Sequence, residues 1–199
     1  MLMDVPTDIF EQICNDAKRG ISRQVLESVI VLAVEIAREG REGRKIGTMF
    51  VVGDTDAVLG RSRTLILDPL AGHSADERRL TNIETRETIK ELAQLDGAFV
   101  VSDDGVTISA CRYISTRLDE IKLPLGLGSR HMAAASITRE TNAVAVVVSE
   151  SSVIRIFDNG ELIGEIIPEL WMLSRHSVHF NGPYLQRTKN SLTVVSKPE

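Results

Sequence analysis

Three short segments carry side chains whose types and spacing could bind a metal ion or an anion. The first is Leu95-Asp96-Gly97-Ala98, where a carboxylate stands beside a glycine just before an apolar run. Because glycine lets a ligand approach the backbone closely, Asp96 could hold a divalent cation or accept a hydroxyl proton. Most Asp-Gly pairs are simple turns, so this segment alone predicts little.

The second segment, residues 126–131, joins a glycine-containing loop to an alanine-rich stretch. A loop of this kind at a helix start directs backbone N–H groups toward an anion, and Ser129 and Arg130 add donors. The alternative is an ordinary loop with a capping serine. A lone histidine is more often structural than catalytic, but the neighbouring arginine favours a role for His131 in chemistry.

The third segment is the end of an apolar run, where Val146-Val147-Val148 is followed by Ser149 and Glu150. Polar residues at the end of a buried strand often line a binding site. A polar strand end that simply faces solvent is an equally good interpretation.

Both helices and strands are predicted to position these segments. Periodicity predicts an amphipathic helix over residues 7–18 and a second helix that Ser22 caps, followed by a charged, glycine-rich hinge at residues 39–47. One helix or a pair of helices is predicted over residues 74–95, and a further helix over residues 130–139. β-branched runs predict strands at residues 48–53, 64–67, 143–149 and 153–157, with a loop over residues 54–63.

Ser102-Asp103-Asp104-Gly105 separates two apolar runs, residues 98–101 and 107–113. Asp-Gly between apolar runs is a hairpin signal, so we predict an antiparallel pair. Hairpins exclude a purely parallel sheet, and the pattern therefore indicates an α/β fold of the mixed kind.

The composition is that of an ordinary globular protein, with 199 residues, 43% hydrophobic and 26% charged. The formal net charge of −5 disfavours a general binder of nucleic acid, and we expect no such partner. Cys14 and Cys111 lie far apart without a CxxC spacing, which predicts neither a zinc site nor a disulfide framework. Walker A, Rossmann, HExxH and GxSxG motifs are absent from the sequence.

The longest apolar-leaning stretch, residues 25–37, is interrupted by Glu27, Ser28 and Glu35. It is too short and too polar for a transmembrane helix. The N-terminus carries Asp4 and Asp8 and has no basic region of the secretory type. We therefore expect a cytoplasmic protein without membrane association.

Four segments in this order resemble the diadenylate cyclase domain family. They are Asp96-Gly97-Ala98, residues 128–134, residues 146–150 and residues 158–162. The similarity runs from about residue 49 to about residue 163. Together with the predicted elements, this range divides the chain into a helical segment at residues 1–47, a cyclase domain core at residues 48–168 and a C-terminal extension at residues 169–199, which we expect to pack on the same domain.

The resemblance implies a central mixed β-sheet flanked by helices, with the N-terminal helices added to it. It also implies an enzyme that condenses two ATP into cyclic di-AMP and two pyrophosphate. Two subunits must face each other, so self-association is needed for catalysis. The implied cofactor is Mn²⁺ or Mg²⁺, held by Asp96 with Glu150 as a further ligand.

The family's motifs also assign roles to other residues of this sequence. Asp96, Arg130 and His131 are implied to be catalytic. The residues implied to bind ATP are Leu95, Gly97, Ala98, Tyr113, Gly128, Ser129, Arg130, His131 and Ser149. Tyr113 would stack on adenine, although a core tyrosine in a hairpin is the competing interpretation.

The sequence departs from the family pattern at two positions. Met132 replaces the second arginine of G-T-R-H-R, and Ser151 replaces the second glutamate of S-E-E. Arg112 or Arg139 could compensate for the missing charge. The departures motivate a rival interpretation, a nucleotide-binding regulatory module that has lost catalysis, and a structural adaptor protein is the second rival.

Overall fold

The computed structural model describes residues 13–14, 19–115, 121, 123–169, 185–189 and 192–196. Contacts divide the chain into two compact units, Met1–Pro168 and Glu169–Glu199. The helix predicted over residues 7–18 falls outside the described residues, apart from residues 13–14. The three-part division of the chain stays a prediction.

The first unit contains a mixed seven-stranded sheet with helices on it, which confirms the predicted fold class. The strands are β1 (Thr48–Val52), β2 (Ser62–Thr64), β3 (Ala98–Val101), β4 (Thr107–Ile114), β5 (Val144–Val148), β6 (Ile154–Asp158) and β7 (Glu161–Ile166). Their order across the sheet is β2-β4-β3-β1-β5-β6-β7. Only the central pair β1 and β3 is parallel among these seven strands.

The helices of this unit lie on the two faces of the sheet. They are α1 (Arg23–Glu39), α2 (Thr55–Gly60), α3 (Ile83–Leu92) and α4 (Ser129–Glu140), with a 3₁₀ turn at Asp76–Arg78. Every residue of β1 and β5 is buried. A strand covered on both faces is a continuous apolar run rather than an alternating one, which is the pattern of these two segments.

Alternate side chains of β1 belong to two layers of the core. Met49 and Val51 pack in the cluster that includes Ala134 and Ile137 of α4. Phe50 points to the opposite face, as the pleat requires, and stacks on Phe99 with ring centroids 5.1 Å apart. The sheet therefore holds α4 on the face from which Met49 projects.

Helix α1 begins as the sequence predicts. The Ser22 side chain accepts a hydrogen bond from the Val25 N–H at 3.2 Å, the usual way to satisfy a free amide at a helix start. Near its other end, α1 pairs with α3 through Lys90, whose Nζ lies 3.3 Å from carboxylate oxygens of both Glu35 and Glu39. These ion pairs hold α3 against α1.

The hairpin of β3 and β4 forms where Ser102 to Gly105 predicts it, and it carries a bulge. Ala98 pairs with Arg112 whereas Val100 pairs with Ser109, so β4 contains one extra residue there, and the register shifts by one more residue before Val101 pairs with Thr107. Cys111 adopts a positive φ of 53° there. A bulge bends its strand and changes the direction of the next side chains, here Arg112 and the tyrosine after it.

Three predicted elements differ from the structure. The loop predicted over residues 54–63 contains α2, a helix too short to show periodicity. The strand predicted at residues 64–67 lies instead at Ser62–Thr64, because Leu67 is 93% exposed and lies beyond the strand. The helix or pair of helices predicted over residues 74–95 consists of the 3₁₀ turn and the shorter helix α3, since Asn82 caps a new helix start by accepting from the Glu84 N–H.

The second unit contains two antiparallel strands, β8 (Leu185–Lys189) and β9 (Leu192–Ser196). This hairpin was not predicted, because the segment shows little clear periodicity. His176 and His179, whose role the sequence does not indicate, lie outside the described residues. The packing of this extension on the core stays a prediction.

Candidate active site

A cavity of about 490 Å³ opens over the strand ends of β1, β3 and β4 and the first turn of α4. This volume is within the usual range for a small-molecule site. Apolar side chains form most of its wall, namely Met49, Leu65, Ala98, Ile114, Met132 and Ala133. Polar groups complete the wall, namely Asp96, Arg112, Tyr113, Ser129 and Arg130, with Gly97 between them.

Gly97 allows the chain to turn into β3 directly against the bulge of β4. Its φ is +109°, and a Cβ added there would lie 2.6 Å from the carbonyl carbon of Cys111. No side chain fits this space. The positive φ and the lack of room for a Cβ therefore both require a glycine here. The close approach places Asp96 at the cavity mouth and Ala98 in its wall.

Arg130 lies between two carboxylates. Its Nη2 is 3.3 Å from Oδ1 of Asp96, and its Nη1 is 3.4 Å from Oε1 of Glu150. The carboxylate side chains are 87% and 70% exposed, whereas the arginine side chain is only 33% exposed. Exposed ion pairs contribute little stability, so a ligand phosphate can replace either carboxylate as the partner of Arg130.

Gly47 makes room for this guanidinium, although no sequence pattern marks it as a site residue. A Cβ at Gly47 would lie 2.8 Å from Nη1 of Arg130 and 3.2 Å from Cγ of Glu150. Gly47 is therefore part of the site although it has no side chain. Its neighbour Thr48 begins β1, which explains why the segment is held in place.

A second cavity of about 230 Å³ adjoins the first and shares Ser129 and Arg130 with it. Its other lining residues are Gly126, Gly128, His131, Val147, Val148, Ser149 and Glu150. Gly128 is the N-cap of α4, and its carbonyl accepts from the N–H groups of His131 and Met132 at 3.1 and 3.2 Å. The backbone N–H groups of Ser129 and Arg130 lie in the first turn of this twelve-residue helix, before the N–H groups that make these hydrogen bonds. The positive end of the helix dipole is located there, which makes it a favourable place for an anion.

The turn after β5 carries Ser149 and Glu150 into this second cavity. The Ser149 N–H donates to the Val153 carbonyl at 3.0 Å, which closes the turn. The Ser151 hydroxyl donates to Oγ of Ser149 at 3.0 Å. Ser151, which stands at the position of the family's second glutamate, thus holds the Ser149 hydroxyl in position.

His131 is buried, with only 7% of its surface exposed. Its Nε2 lies 3.3 Å from Nη1 of Arg155 on β6, and its ring tilts against Phe157 with centroids 6.1 Å apart. Burial lowers the pKa of His131 below its ordinary value, and the charges of Arg155 and Arg130 lower it further. The imidazole is therefore a neutral group at the edge of the second cavity.

Tyr113 stands at the other end of the large cavity, 45% exposed. The guanidinium carbon of Arg63 lies 4.8 Å from its ring centroid. One side of the ring is therefore held by a cation–π contact. A half-exposed ring at a cavity wall is placed to stack on a flat ligand.

The two arginines considered as substitutes for the missing charge at Met132 are placed differently. Arg112 lines the large cavity, but its Nε and Nη2 donate to the hydroxyl and carbonyl of Ser62, each at 2.9 Å. Arg139 lies nine residues after Arg130 on α4, about 13 Å further along the helix axis. Neither arginine therefore presents a free guanidinium to the small cavity.

The structure brings together most of the predicted site residues. Asp96, Gly97, Ala98, Tyr113, Ser129 and Arg130 line the large cavity, and Gly128, His131, Ser149 and Glu150 line the small one. Leu95 lines neither cavity and is 41% exposed. Met49, Leu65 and Ile114 were not predicted to belong to the site, since apolar residues in such runs first indicate core packing.

Asp96 and Glu150 are the residues that could hold a divalent cation. Within the described residues, no group of three or more His, Cys, Asp or Glu side chains is close enough to enclose a metal ion. Mg²⁺ is commonly bound by one or two carboxylates together with water and substrate phosphates. Two exposed carboxylates on either side of Arg130 fit this kind of site.

Comparisons with known proteins identify the family of this chain. The family model described as DisA bacterial checkpoint controller nucleotide-binding, abbreviated DAC, matches residues 35–162. The chain belongs to this family. Residues 35–162 include every residue that lines the two cavities and every predicted site residue.

Two curated relatives carry the name diadenylate cyclase. The protein of Methanocaldococcus jannaschii is 44% identical over 162 residues, which are 81% of this chain and 50% of the relative. The protein of Haloferax volcanii is 40% identical over 157 residues, which are 78% of this chain and 55% of the relative. The chain thus spans about half the length of the curated relatives it matches.

A solved structure supports the fold alone. The crystal structure of a hypothetical membrane spanning protein from Bacillus cereus superposes with a TM-score of 0.50 at 21% identity. The match covers 70% of this chain and 66% of the other. In the described part of the present chain, by contrast, no helix has the length and apolar character needed to cross a membrane.

Proposed function

We propose that this chain is a diadenylate cyclase that condenses two ATP into cyclic di-AMP and two pyrophosphate. One observation carries the proposal: Asp96 and Arg130 meet where a large, mainly apolar cavity adjoins a small cavity at a helix start. A nucleotide has the matching division, with an apolar base at one end and a triphosphate at the other. The relatives named diadenylate cyclase support the same reaction.

In this proposal the base and ribose occupy the large cavity. Tyr113 stacks on adenine through the ring face that Arg63 does not cover. Met49 and Ala98 supply apolar contact beneath the nucleoside. Asp96 then lies beside the ribose 3′-hydroxyl, which is the group that must lose its proton.

The phosphates occupy the small cavity. The amides at the start of α4, the Ser149 hydroxyl and the Arg130 guanidinium supply donors there. As the phosphates bind, Arg130 exchanges a carboxylate partner for a phosphate oxygen. The charge that develops on the leaving pyrophosphate then faces fixed donors, which is the usual source of catalysis in phosphoryl transfer.

Each half-reaction forms one bond and breaks one. The 3′-oxygen of one ATP attacks the α-phosphorus of the other, the bond from that phosphorus to the bridging oxygen breaks, and pyrophosphate leaves with the electron pair. The 3′-hydroxyl proton passes to Asp96 or to water. Because each ATP is both attacked and attacking, two copies of the chain must face each other, and proximity supplies much of the rate.

Asp96 and Glu150 would hold a divalent cation, Mn²⁺ or Mg²⁺, together with phosphate oxygens. When bound, the cation supplies neutralisation of the triphosphate charge. We place the reaction in the cytoplasm, where ATP is abundant, and we assign the chain no nucleic-acid or membrane partner.

The test is the variant Asp96→Asn, with Asp103→Asn as its matched control. Asp103 lies in the β3–β4 turn and lines neither cavity. We expect Asp96→Asn to keep the wild-type unfolding midpoint and to lose product formation by at least about a thousandfold, whereas the control keeps both. Cyclic di-AMP made by Asp96→Asn at the wild-type rate would remove Asp96 from the mechanism.

A second candidate function is a nucleotide-binding regulatory module of the same fold. Met132 motivates it, because an apolar side chain stands in the large cavity where the family places an arginine. Measured ATP binding without any cyclic di-AMP would favour this candidate. Absence of ATP binding would instead favour the structural adaptor.

A further inference from the structure

His131 makes an unusual contact for a residue in an anion-binding turn. Its Nε2 lies 3.3 Å from Nη1 of Arg155, and the ring is 93% buried by the surrounding residues. Its other nitrogen, Nδ1, is buried and has no hydrogen-bond partner among the described residues. A histidine in this position needs an explanation, because a buried polar atom without a partner is costly.

The chemistry of the two side chains decides which ring nitrogen carries the proton. A guanidinium has only donors and keeps its charge at all accessible pH values, so Arg155 must donate. Nε2 of His131 must then accept, which leaves the single ring proton of the neutral imidazole on Nδ1. We propose that Arg155 is a positioning residue that fixes His131 in the Nδ1–H tautomer.

Arg155 is itself held in place by a second partner. Its Nε lies 2.6 Å from Oε1 of Glu165 on β7, and its side chain is only 15% exposed. Arg155 and Glu165 also face each other in the ladder of β6 and β7. The arrangement therefore connects the first turn of α4 to two neighbouring strands, and the carboxylate orients the guanidinium toward the imidazole, as outer partners of functional histidines commonly do.

The same surroundings disfavour a protonated imidazole. Burial lowers the pKa of His131, and Arg155 and Arg130 add positive charge nearby. The carboxylate of Glu165 opposes this effect only in part, since the net direction is downward. His131 is thus neutral, and a neutral Nδ1–H tautomer can donate one hydrogen bond from Nδ1 but cannot take a proton at Nε2 while Arg155 occupies it.

The consequence concerns the role of His131 at the small cavity and rests on the proposed function. His131 lines that cavity together with Arg130 and Ser149. With Nε2 accepting from Arg155 and Nδ1 carrying the ring proton, neither nitrogen of His131 can accept a further proton, so His131 is not a general base. This assigns proton removal to Asp96 or water.

The tautomer can be observed directly by nitrogen NMR. Protein labelled with ¹⁵N-histidine is recorded in a long-range ¹H–¹⁵N correlation experiment, and His131→Gln identifies the His131 signals by their loss. We expect the Nδ1 shift of a protonated ring nitrogen and the Nε2 shift of an unprotonated one. The reverse pattern in the wild-type protein, or equal exchange between both forms, overturns the proposal.

Variants of Arg155 test whether that side chain is the cause. Arg155→Met removes the donor and should move His131 toward the Nε2–H form that imidazole prefers in water, whereas Arg155→Lys keeps a donor and should preserve Nδ1–H. Arg61→Met is the matched control, since it breaks an ion pair of the same type, with Glu140 at 3.2 Å, on residues that line neither cavity. An unchanged tautomer in Arg155→Met would contradict the assignment. If that variant does not fold, the wild-type spectrum and Arg155→Lys still decide.

The NMR measurement separates this proposal from the proposed function, because it needs neither ATP binding nor turnover. A wild-type Nε2–H signal would overturn the role of Arg155 even if the protein makes cyclic di-AMP. A wild-type Nδ1–H signal in a protein that makes no cyclic di-AMP would support the role of Arg155 and overturn the proposed function.

Discussion

Gly47→Ala is the substitution that most sharply separates the geometry of the site from the stability of the fold. The new Cβ would lie 2.8 Å from Nη1 of Arg130, and ordinary contact begins at 3.4 Å, so the guanidinium must move by about 0.6 Å. It can do so because it is the far end of a flexible side chain. The movement is directed away from the position that pairs with Asp96 and Glu150.

The expected effect is a loss of activity without a loss of stability. Displacing a catalytic group by 1 Å can cost about a hundredfold in rate, so we expect roughly a tenfold or larger fall in cyclic di-AMP formation. The fold should keep or slightly gain stability, because alanine lowers the entropy of the unfolded chain by about 0.4–1 kcal/mol. Gly47 is outside the left-handed region of φ, so alanine introduces no backbone strain there.

The assay compares Gly47→Ala with Gly60→Ala. Gly60 also lacks a positive φ, and a Cβ there would meet nothing within 4 Å, so the control tests the same chemical change in open space. Both variants are measured for initial rate of product formation and for urea unfolding. Full activity in Gly47→Ala, or a fall in activity that tracks an equal fall in unfolding free energy, would refute the reasoning.

Three further predictions concern the base, the backbone and the histidine. Tyr113→Ala should weaken ATP binding by about 1–3 kcal/mol, measured by calorimetry, and an unchanged Kd would mean that adenine does not stack there. Gly97→Ala should lower the unfolding free energy by about 1–3 kcal/mol from backbone strain alone, and a wild-type urea midpoint would contradict the role of its +109° φ. Because the folded-state pKa of His131 lies below 6.5, the unfolded chain binds more protons, so stability should fall as the pH drops below 6.5. His131→Gln should reduce that slope in unfolding experiments between about pH 5 and pH 8, and an identical slope would show that other groups cause it.

The parts of the fold that sequence patterns predict well are those in which local and tertiary signals agree. The Asp-Gly turn between apolar runs forms the β3–β4 hairpin, and the Ser22 cap begins α1. The continuous apolar runs form β1 and β5, which are buried on both faces. In each case the residue types that favour the element also satisfy its burial.

The elements that were missed depend on contacts that no local pattern contains. Helix α2 has only six residues, too few for a period, and the Arg61 side chain donates to the Ala57 carbonyl near its end. Strand β7 was not predicted, since it has glutamates at 161 and 165 and a glycine at 164, and it forms by pairing with β6 at the edge of the sheet. Edge strands satisfy their hydrogen bonds through a neighbour and need little hydrophobic alternation.

The candidate site shows the same division. Asp96 and Arg130 could be selected because their motifs carry a chemical reason, and the structure places them 3.3 Å apart. Gly47 could not be selected, since its contribution is the space that it leaves for another residue. Arg155 could not be selected either, because its contact with His131 depends on the register of β6 against α4.

The most direct test of the account is the reaction itself. Purified protein is incubated with ATP and either Mn²⁺ or Mg²⁺, and the nucleotides are identified by mass spectrometry while pyrophosphate is measured in parallel. The account predicts cyclic di-AMP with two pyrophosphates released for each molecule formed, and a rate that falls faster than in proportion to protein when the chain is diluted below its self-association range. ATP that binds and is recovered unchanged under both metals would contradict the central claim.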